Sequence, residues 1–308
     1  MRFSIVIPLY NKALYITETL SSIVQQTKLP FELIIVDDSS TDGSLEIAKI
    51  FLENVPKFFK VVKVKIIELD KNYGPGYARN IGFSATSGDA VSFLDADDLY
   101  IPELIKRVDQ LFTNHHIDFL TVGIKLFPSE TVLPKLKNIN QYIEPITSDA
   151  FLLKPPLKVI TSPDFVMGTG SNVFVKREYM QTTRYEENVL FNEGNDYWYR
   201  VLKIVLNVKS SRIGLLMGNY IEVREVQGSL SRKKYTSWKQ IEVPPIYKRY
   251  KYSHDIYDIL LVGVICNRWI KHSIKNLNSI KQKIIFLFKY REILINQLYY
   301  TIHKIKEK

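Results

Sequence analysis

The run Val91-Ser92-Phe93-Leu94-Asp95-Ala96-Asp97-Asp98 places three carboxylates at the end of an apolar segment that reads as a buried strand. Neighbouring acids resist joint ionisation unless a cation or a basic group neutralises them. Hard carboxylate oxygens in this pattern suit a divalent cation. The plainer reading is a solvated turn in which Asp98 caps a helix beginning near Pro102. A second acidic strand end follows Ile34-Ile35-Val36, in Asp37-Asp38-Ser39-Ser40-Thr41-Asp42-Gly43. Thr41 or Asp42 fits the cap of the next helix, whereas Asp37 and Asp38 come too early for capping and are candidates for a base or sugar edge. Asn72-Tyr73-Gly74-Pro75-Gly76-Tyr77-Ala78-Arg79 is a glycine-rich turn opening a helix. Exposed backbone N–H groups and an arginine one turn in favour phosphate, although Gly-Pro-Gly alone is an ordinary turn.

The elements that must position these residues alternate in βαβα order. Strands are expected at 3–9, 32–36, 64–69 and 90–94, and helices at 15–26, 44–54 and 76–85. In the first helix Leu14, Ile16, Leu20, Ile23 and Val24 recur near a 3.6-residue period. The alternation implies an α/β, Rossmann-like, mostly parallel sheet with flanking helices. Ligands of such sheets bind beyond the carboxyl ends of the strands, where Pro8–Asn11, Asp37-Asp38 and Asp95–Asp98 would converge.

The chain has 308 residues, 46% of them hydrophobic, enough for a substantial core. A lone cysteine, Cys266, excludes an internal disulfide framework and a thiolate zinc cluster. His115, His116, His254, His272 and His303 lack metal-ligand spacing. Met1-Arg2 leads straight into Phe3–Leu9, so no targeting peptide is legible, and the apolar stretch Ile259–Cys266 is too short to span a bilayer. The expectation is a cytoplasmic protein, peripheral at most on the inner face of the cell membrane.

The net charge of +10 is concentrated at one end: residues 232–308 hold 17 Lys and Arg against 5 Asp and Glu. The main domain, at 1–231, is therefore not a nucleic-acid binder. It divides at residue 120 into a first half that carries the βαβα alternation and a second half at 121–231, followed by a basic, α-helical C-terminal extension at 232–308. In the extension, basic and apolar residues alternate in Ser279–Arg291 and Leu294–Lys308. Helices of that composition lie on an anionic membrane surface or pack on the main domain or on a second subunit, giving a homo-oligomer.

Four segments occur in one order: F-S-I-V-I-P-L-Y-N-K, E-L-I-I-V-D-D-S-S-T-D-G-S, N-Y-G-P-G-Y-A-R-N-I-G and G-D-A-V-S-F-L-D-A-D-D. Together they closely resemble glycosyltransferase family 2, whose members have the nucleotide-sugar-binding GT-A fold. The resemblance is dense through residue 98 and patchy to about residue 232. It implies an inverting transfer of a sugar from a nucleotide diphosphate donor, most commonly a UDP-sugar, to a hydroxyl of a glycan or lipid-linked glycan acceptor. It further implies that Pro8, Tyr10 and Asn11 line the base pocket, that Asp38 accepts from the pyrimidine, and that Asn72, Gly74 and Arg79 lie near the nucleotide and diphosphate. Asp95 would sit near the ribose and beside the metal, and Asp97 on Mn²⁺ or Mg²⁺.

The resemblance makes 1–120 the nucleotide-binding half and 121–231 the acceptor half, where Glu193-Gly194-Asn195-Asp196-Tyr197-Trp198 resembles the family's E-D segment, with Asn195 where Glu is usual. The resemblance makes Asp196 the general base, with a helix cap as its plainer role and Glu193 as the alternative base. Met167–Asn172 resembles a small-residue segment near the acceptor, and Arg224–Ser231 a late motif in which Val226 replaces a His. Arg268-Trp269 resembles part of the Q-x-x-R-W motif of processive synthases, with Ile265 in the Gln position. Two other functions compete. A sugar nucleotidyltransferase should carry a glycine-rich loop after the first strand, and Pro8–Asn11 has no glycine. A catalytically silent nucleotide- or glycan-binding module would keep the fold and lose the acids.

Overall fold

The structure is a computed structural model that describes residues 1–135, 139–163, 165, 167–168, 170–187, 189, 193–226 and 234–294. Its first half follows the expected order: β1 (Phe3–Leu9), α1 (Ile16–Val24), β2 (Glu32–Asp37), α2 (Ser44–Glu53), β3 (Lys63–Glu68), α3 (Pro75–Ser84) and β4 (Ala90–Phe93). Next come β5 (Leu99–Tyr100), α4 (Leu104–Asn114), β6 (Phe119–Phe127), β7 (Thr131–Leu133), β8 (Ile143–Pro145), β9 (Ala150–Leu153), α5 (Pro156–Ile160) and β10 (Val173–Lys176). The chain continues through α6 (Glu193–Leu206), β11 (Ile213–Arg224), α7 (Pro245–Tyr250), α8 (Ile256–Asn276) and α9 (Ile280–Lys289).

One sheet runs in the order β3-β2-β1-β4-β10-β6-β11-β9-β8, with β5 on β11 and β7 on β6. The first four strands are mutually parallel, as βαβ crossovers require, and β10 enters antiparallel between β4 and β6. Both faces are covered. Ile5, Ile7, Leu9, Leu33 and Ile35 point into one core with α1 and α4, whereas Val6, Ile34 and Val36 point into the other with α3 and α6. This period-2 division is what a strand buried on both sides produces from a continuous apolar run. Within α1, Ile16, Leu20, Ile23 and Val24 are buried as expected, but Leu14 precedes the helix and is 81% exposed.

Part of the basic extension belongs to the same body. Ile246 of α7 and Leu261 and Ile265 of α8 join the second core. Trp269, Cys266, Tyr247 and Phe286 of α9 form a further cluster beside it. Asp255 caps α8 by accepting the N–H groups of Tyr257 and Asp258 at 2.8 and 3.2 Å. Of the two fates open to this region, α7 and α8 pack on the main domain. Arg268 is used in that packing, donating to the carbonyls of Pro163 and Phe165, whereas Trp269 packs within the extension, its indole N–H donating to the carbonyl of Glu242. Among the described residues no helix is long and apolar enough to cross a membrane. The tail segment 295–308 and the motif residues 227–231 lie outside the described residues.

Candidate active site

Register brings the acidic strand ends together. Leu9 pairs with Asp37, Asp37 with Glu68, and Val6 with Phe93, so the segments after β1, β2, β3 and β4 leave from one edge of the sheet. Pro8 is half-buried there, while Tyr10, Asn11 and Asn72 are exposed. Asn11 has φ of 50° and binds the β2 loop, its N–H donating to Ser40 Oγ and its Oδ1 accepting the Thr41 N–H at 2.8 Å. Asp42 accepts from the Ser44 N–H at the start of α2 and from the Ala13 N–H, but the N-cap is Gly43, at φ 87°, rather than Thr41 or Asp42.

Asp38 is 2% exposed, and its two oxygens accept the N–H groups of Tyr73 and Gly74 at 2.7 and 2.8 Å. Its carboxylate therefore shapes the glycine-rich turn that opens α3. Burial outweighs these hydrogen bonds and holds its pKa above the ordinary carboxyl value. On that turn the Tyr73 and Tyr77 rings stack with centroids 4.4 Å apart.

Arg79, on the first turns of α3, is the hub of the site. It is 4% exposed, and its guanidinium donates to Asp95 at 2.7 Å and to Glu193 at 3.0 Å. Burial alone would lower the guanidinium's pKa, but the negative charge of Asp95 and Glu193 outweighs it and holds the pKa raised. The same group lies 5.2 Å from the Tyr185 ring centroid. Asp95 is also bound through its backbone, whose N–H donates to Ser171 Oγ at 3.0 Å. Gly170, at φ +94°, passes so close that a Cβ there would stand 2.1 Å from an Asp95 oxygen. Only glycine fits that position, so the segment before β10 is a wall of the acid cluster, and Thr169 beside it lies outside the described residues.

Asp97 is ion-paired with Lys12, their side chains 14% and 24% exposed. Burial still raises the Asp97 pKa, with Asp95 adding repulsion and Lys12 opposing both. Asp98 is not a helix cap. Its carboxylate is buried, accepting from Ser171 Oγ at 2.6 Å and the Arg224 N–H at 3.1 Å. Helix α4 begins at Leu104 with Glu103 at its N-cap and no side-chain cap. Arg224 closes this side, its Nε donating to the Asp97 carbonyl at 3.0 Å and its Nη2 to Glu18 at 2.6 Å.

Asp196 and Glu193 share the first turn of α6 and face different partners. Asp196, 1% exposed, accepts from Arg200 Nε at 2.8 Å and Arg249 Nε at 2.9 Å. It is not a helix cap, because it lies inside α6. The structure brings Glu193, not Asp196, to Asp95 and Arg79. Between them, Gly194 abuts Gly168, where a Cβ would stand 2.5 Å from the Gly168 carbonyl oxygen. Phe191 and Asn192, which precede this turn, lie outside the described residues.

Lys12, Ser171, Arg224 and Arg249 complete these clusters and were not singled out from the sequence as site residues. The sequence signal for Lys12 is its place directly after Pro8-Leu9-Tyr10-Asn11. Ser171 and Arg224 fall in the Met167–Asn172 and Arg224–Ser231 segments, though their partners lie 73 and 127 residues away, and Arg249, 53 residues from Asp196, has no local pattern to announce it.

The sequence pattern of Glycosyl transferase family 2 matches residues 4–182. The chain is 37% identical over 128 residues to the poly(ribitol-phosphate) beta-N-acetylglucosaminyltransferase TarS of Staphylococcus aureus strain Mu50, covering 41% of this chain and 21% of TarS. It is 30% identical over 194 residues to the minor teichoic acid biosynthesis protein GgaB of Bacillus subtilis strain 168, covering 62% of this chain and 20% of GgaB. The match thus spans about a fifth of each of these relatives. The fold is that of the crystal structure of S. aureus TarS 1-349 in complex with UDP-GlcNAc, with TM-score 0.61, 18% identity, and coverage of 99% of this chain and 92% of that one. A UDP complex of the same fragment superposes with TM-score 0.58 at 19% identity, covering 100% and 92%. With its family pattern running through the strand ends that carry Asp38 and Asp95 and the helix that carries Arg79, this chain belongs to glycosyl transferase family 2.

Proposed function

We propose that the protein is an inverting glycosyltransferase that moves a sugar from a UDP-sugar to a hydroxyl of a glycan or lipid-linked glycan in cell-envelope polysaccharide synthesis. The observation that carries this reading is the Asp95–Arg79–Glu193 bridge, which sets a buried cation between two carboxylates at the ligand-binding edge of the sheet. The family match, the named activities of the relatives and the UDP ligands of the similar structures support the donor class.

Asp95 and Asp97 fit a divalent cation as a shared site. Both present hard oxygens on one turn, and the raised pKa of Asp97 reflects burial and repulsion that Lys12 alone does not offset. Among the described residues no group of three or more potential ligands is present, so the remaining ligands would come from the diphosphate and water. Held by Asp95 and Asp97, Mn²⁺ or Mg²⁺ would supply positive charge to offset the negative charge gained by a leaving diphosphate. Arg79 adds a fixed positive charge on the same side. In this reading Pro8, Tyr10 and Asn11 would line the base pocket beside the Tyr73–Gly74 turn that Asp38 holds.

For the acceptor, Glu193 replaces Asp196 as the general base in this reading. One Glu193 oxygen is held by Arg79, and the other makes no hydrogen bond among the described residues. It takes the hydroxyl proton as the acceptor oxygen attacks the anomeric carbon and the diphosphate departs from the opposite face.

Thermal stability measured with UDP, GDP, CDP and ADP, with and without Mn²⁺, tests the donor. UDP at 100 times its dissociation constant should add about 2.7 kcal/mol. A metal-dependent shift with UDP, together with UDP release from a UDP-sugar, supports the transferase. A shift without transfer to any acceptor supports a silent nucleotide-binding module, and no shift with any nucleotide rejects the transferase and leaves the silent module, as a glycan binder, as the leading reading.

A further inference from the structure

Helix α9 is apolar on two sides. Its inner side carries Phe286, buried against Trp269 and Tyr290 at centroid distances of 5.1 and 5.0 Å. Its outer side carries Ile280, Ile284 and Phe288, which are 76, 62 and 70% exposed. Their i, i+4, i+8 spacing draws one line along the helix surface. Packing on α8 within the extension accounts for the inner side only.

Charge surrounds the outer line. Lys281, Lys289 and Arg291 are exposed, and the Arg291 guanidinium lies 5.0 Å from the Phe288 ring centroid. Glu292 is the only acid between residues 279 and 294, against four basic residues. We infer that this face of α9 docks on an anionic lipid surface, with Ile280, Ile284 and Phe288 entering the headgroup boundary and Lys281, Lys289 and Arg291 meeting the headgroups.

The charge selects lipid over a second copy of the chain. Two such faces brought together would oppose like charges, and three apolar side chains fall well short of the ~800 Å² per partner of a stable interface. An anionic bilayer supplies the complementary charge and an apolar layer at the depth a surface helix reaches. The inference is independent of the transferase reading, because it concerns a face that neither Asp95 nor Glu193 touches.

The test is co-sedimentation of the full chain with phosphatidylcholine vesicles and with vesicles containing phosphatidylglycerol, without nucleotide. Binding to the anionic vesicles only, weakened by high salt, is expected. The variant Ile284→Ser/Phe288→Ser should bind at least tenfold more weakly with an unchanged melting temperature, since both side chains are mostly exposed. Lys281→Gln/Lys289→Gln should weaken binding at low salt and leave a smaller salt dependence. Wild-type binding to neither vesicle, equal binding to both, or unaltered binding by the serine variant would overturn the inference. A concentration-dependent dimer that the serine variant abolishes would assign the face to self-association and overturn it as well.

Discussion

Arg249 Nε on α7 donates to Asp196 on α6 at 2.9 Å, so a carboxylate at the start of the catalytic-domain helix is closed by a residue of the basic extension. With Arg200 on its other oxygen, Asp196 joins two elements and is turned from the acid cluster.

Asp196→Asn should therefore act mainly on folding. Removing one partner of a buried ion pair costs about 3 kcal/mol, read as a lower urea midpoint. The folded variant should keep kcat within tenfold of wild type. A stable Asn variant with kcat reduced a hundredfold would return the base role to Asp196.

Glu193→Gln should show the opposite division. Loss of a general base lowers kcat by about 10²–10⁴-fold, while the thermal shift by UDP persists. Retained kcat in this variant would remove Glu193 from the chemistry.

Asp97 is ion-paired with Lys12, so the proposed divalent cation would have to compete with that ammonium. Lys12→Met should raise the affinity for Mn²⁺ in the presence of UDP, followed by the free Mn²⁺ electron paramagnetic resonance signal, and Asp97→Asn should abolish it. Equal Mn²⁺ affinity in wild type and Asp97→Asn would place the cation elsewhere.

Acid stability should depend on Glu32. Its buried carboxylate accepts from Ser4 Oγ at 2.6 Å and from the N–H groups of Ser87 and Gly88. Burial raises its pKa, but these hydrogen bonds outweigh that effect and hold it below the ordinary 4.5. The native state then binds fewer protons than the unfolded one, so the contribution is fully present above pH 4.5 and lost as pH falls through the lowered value. Glu32→Gln should be less stable at pH 7 by about 1–3 kcal/mol, and urea melts should converge with wild type as pH falls through the lowered value.

Cys266 is fully buried, and burial pushes its thiol pKa up to about 12. It should resist iodoacetamide in the native state and react in denaturant. Rapid alkylation under native conditions would mean that α8 opens from the body.

What the sequence made legible was local. The strands β1 to β4 and helices α1 to α3 fall within two residues or so of their expected limits, because apolar runs there end in acids, glycine or proline. The convergence of Asn11, Asp38 and Asp95 followed from parallel topology alone. The i, i+4 spacing of Asp196 and Arg200 already allowed an ion pair. By contrast, Lys12 reaches Asp97 across 85 residues and Arg249 reaches Asp196 across 53. Asp98 shows the same limit: it lies on the chain before α4, yet tertiary contacts with Ser171 and Arg224 take it from capping.

The position of β10 has a consequence for dissecting the molecule. A strand from residues 173–176 is wedged between β4 and β6, so the first 120 residues expressed alone would leave the far side of β4 without its neighbour. The bare main-chain edge, flanked by Val91 and Phe93, is a template for aggregation. Exchanging acceptor specificity among relatives by joining fragments near residue 120 would meet the same obstacle, and a workable chimera must carry β10 from the partner of β4.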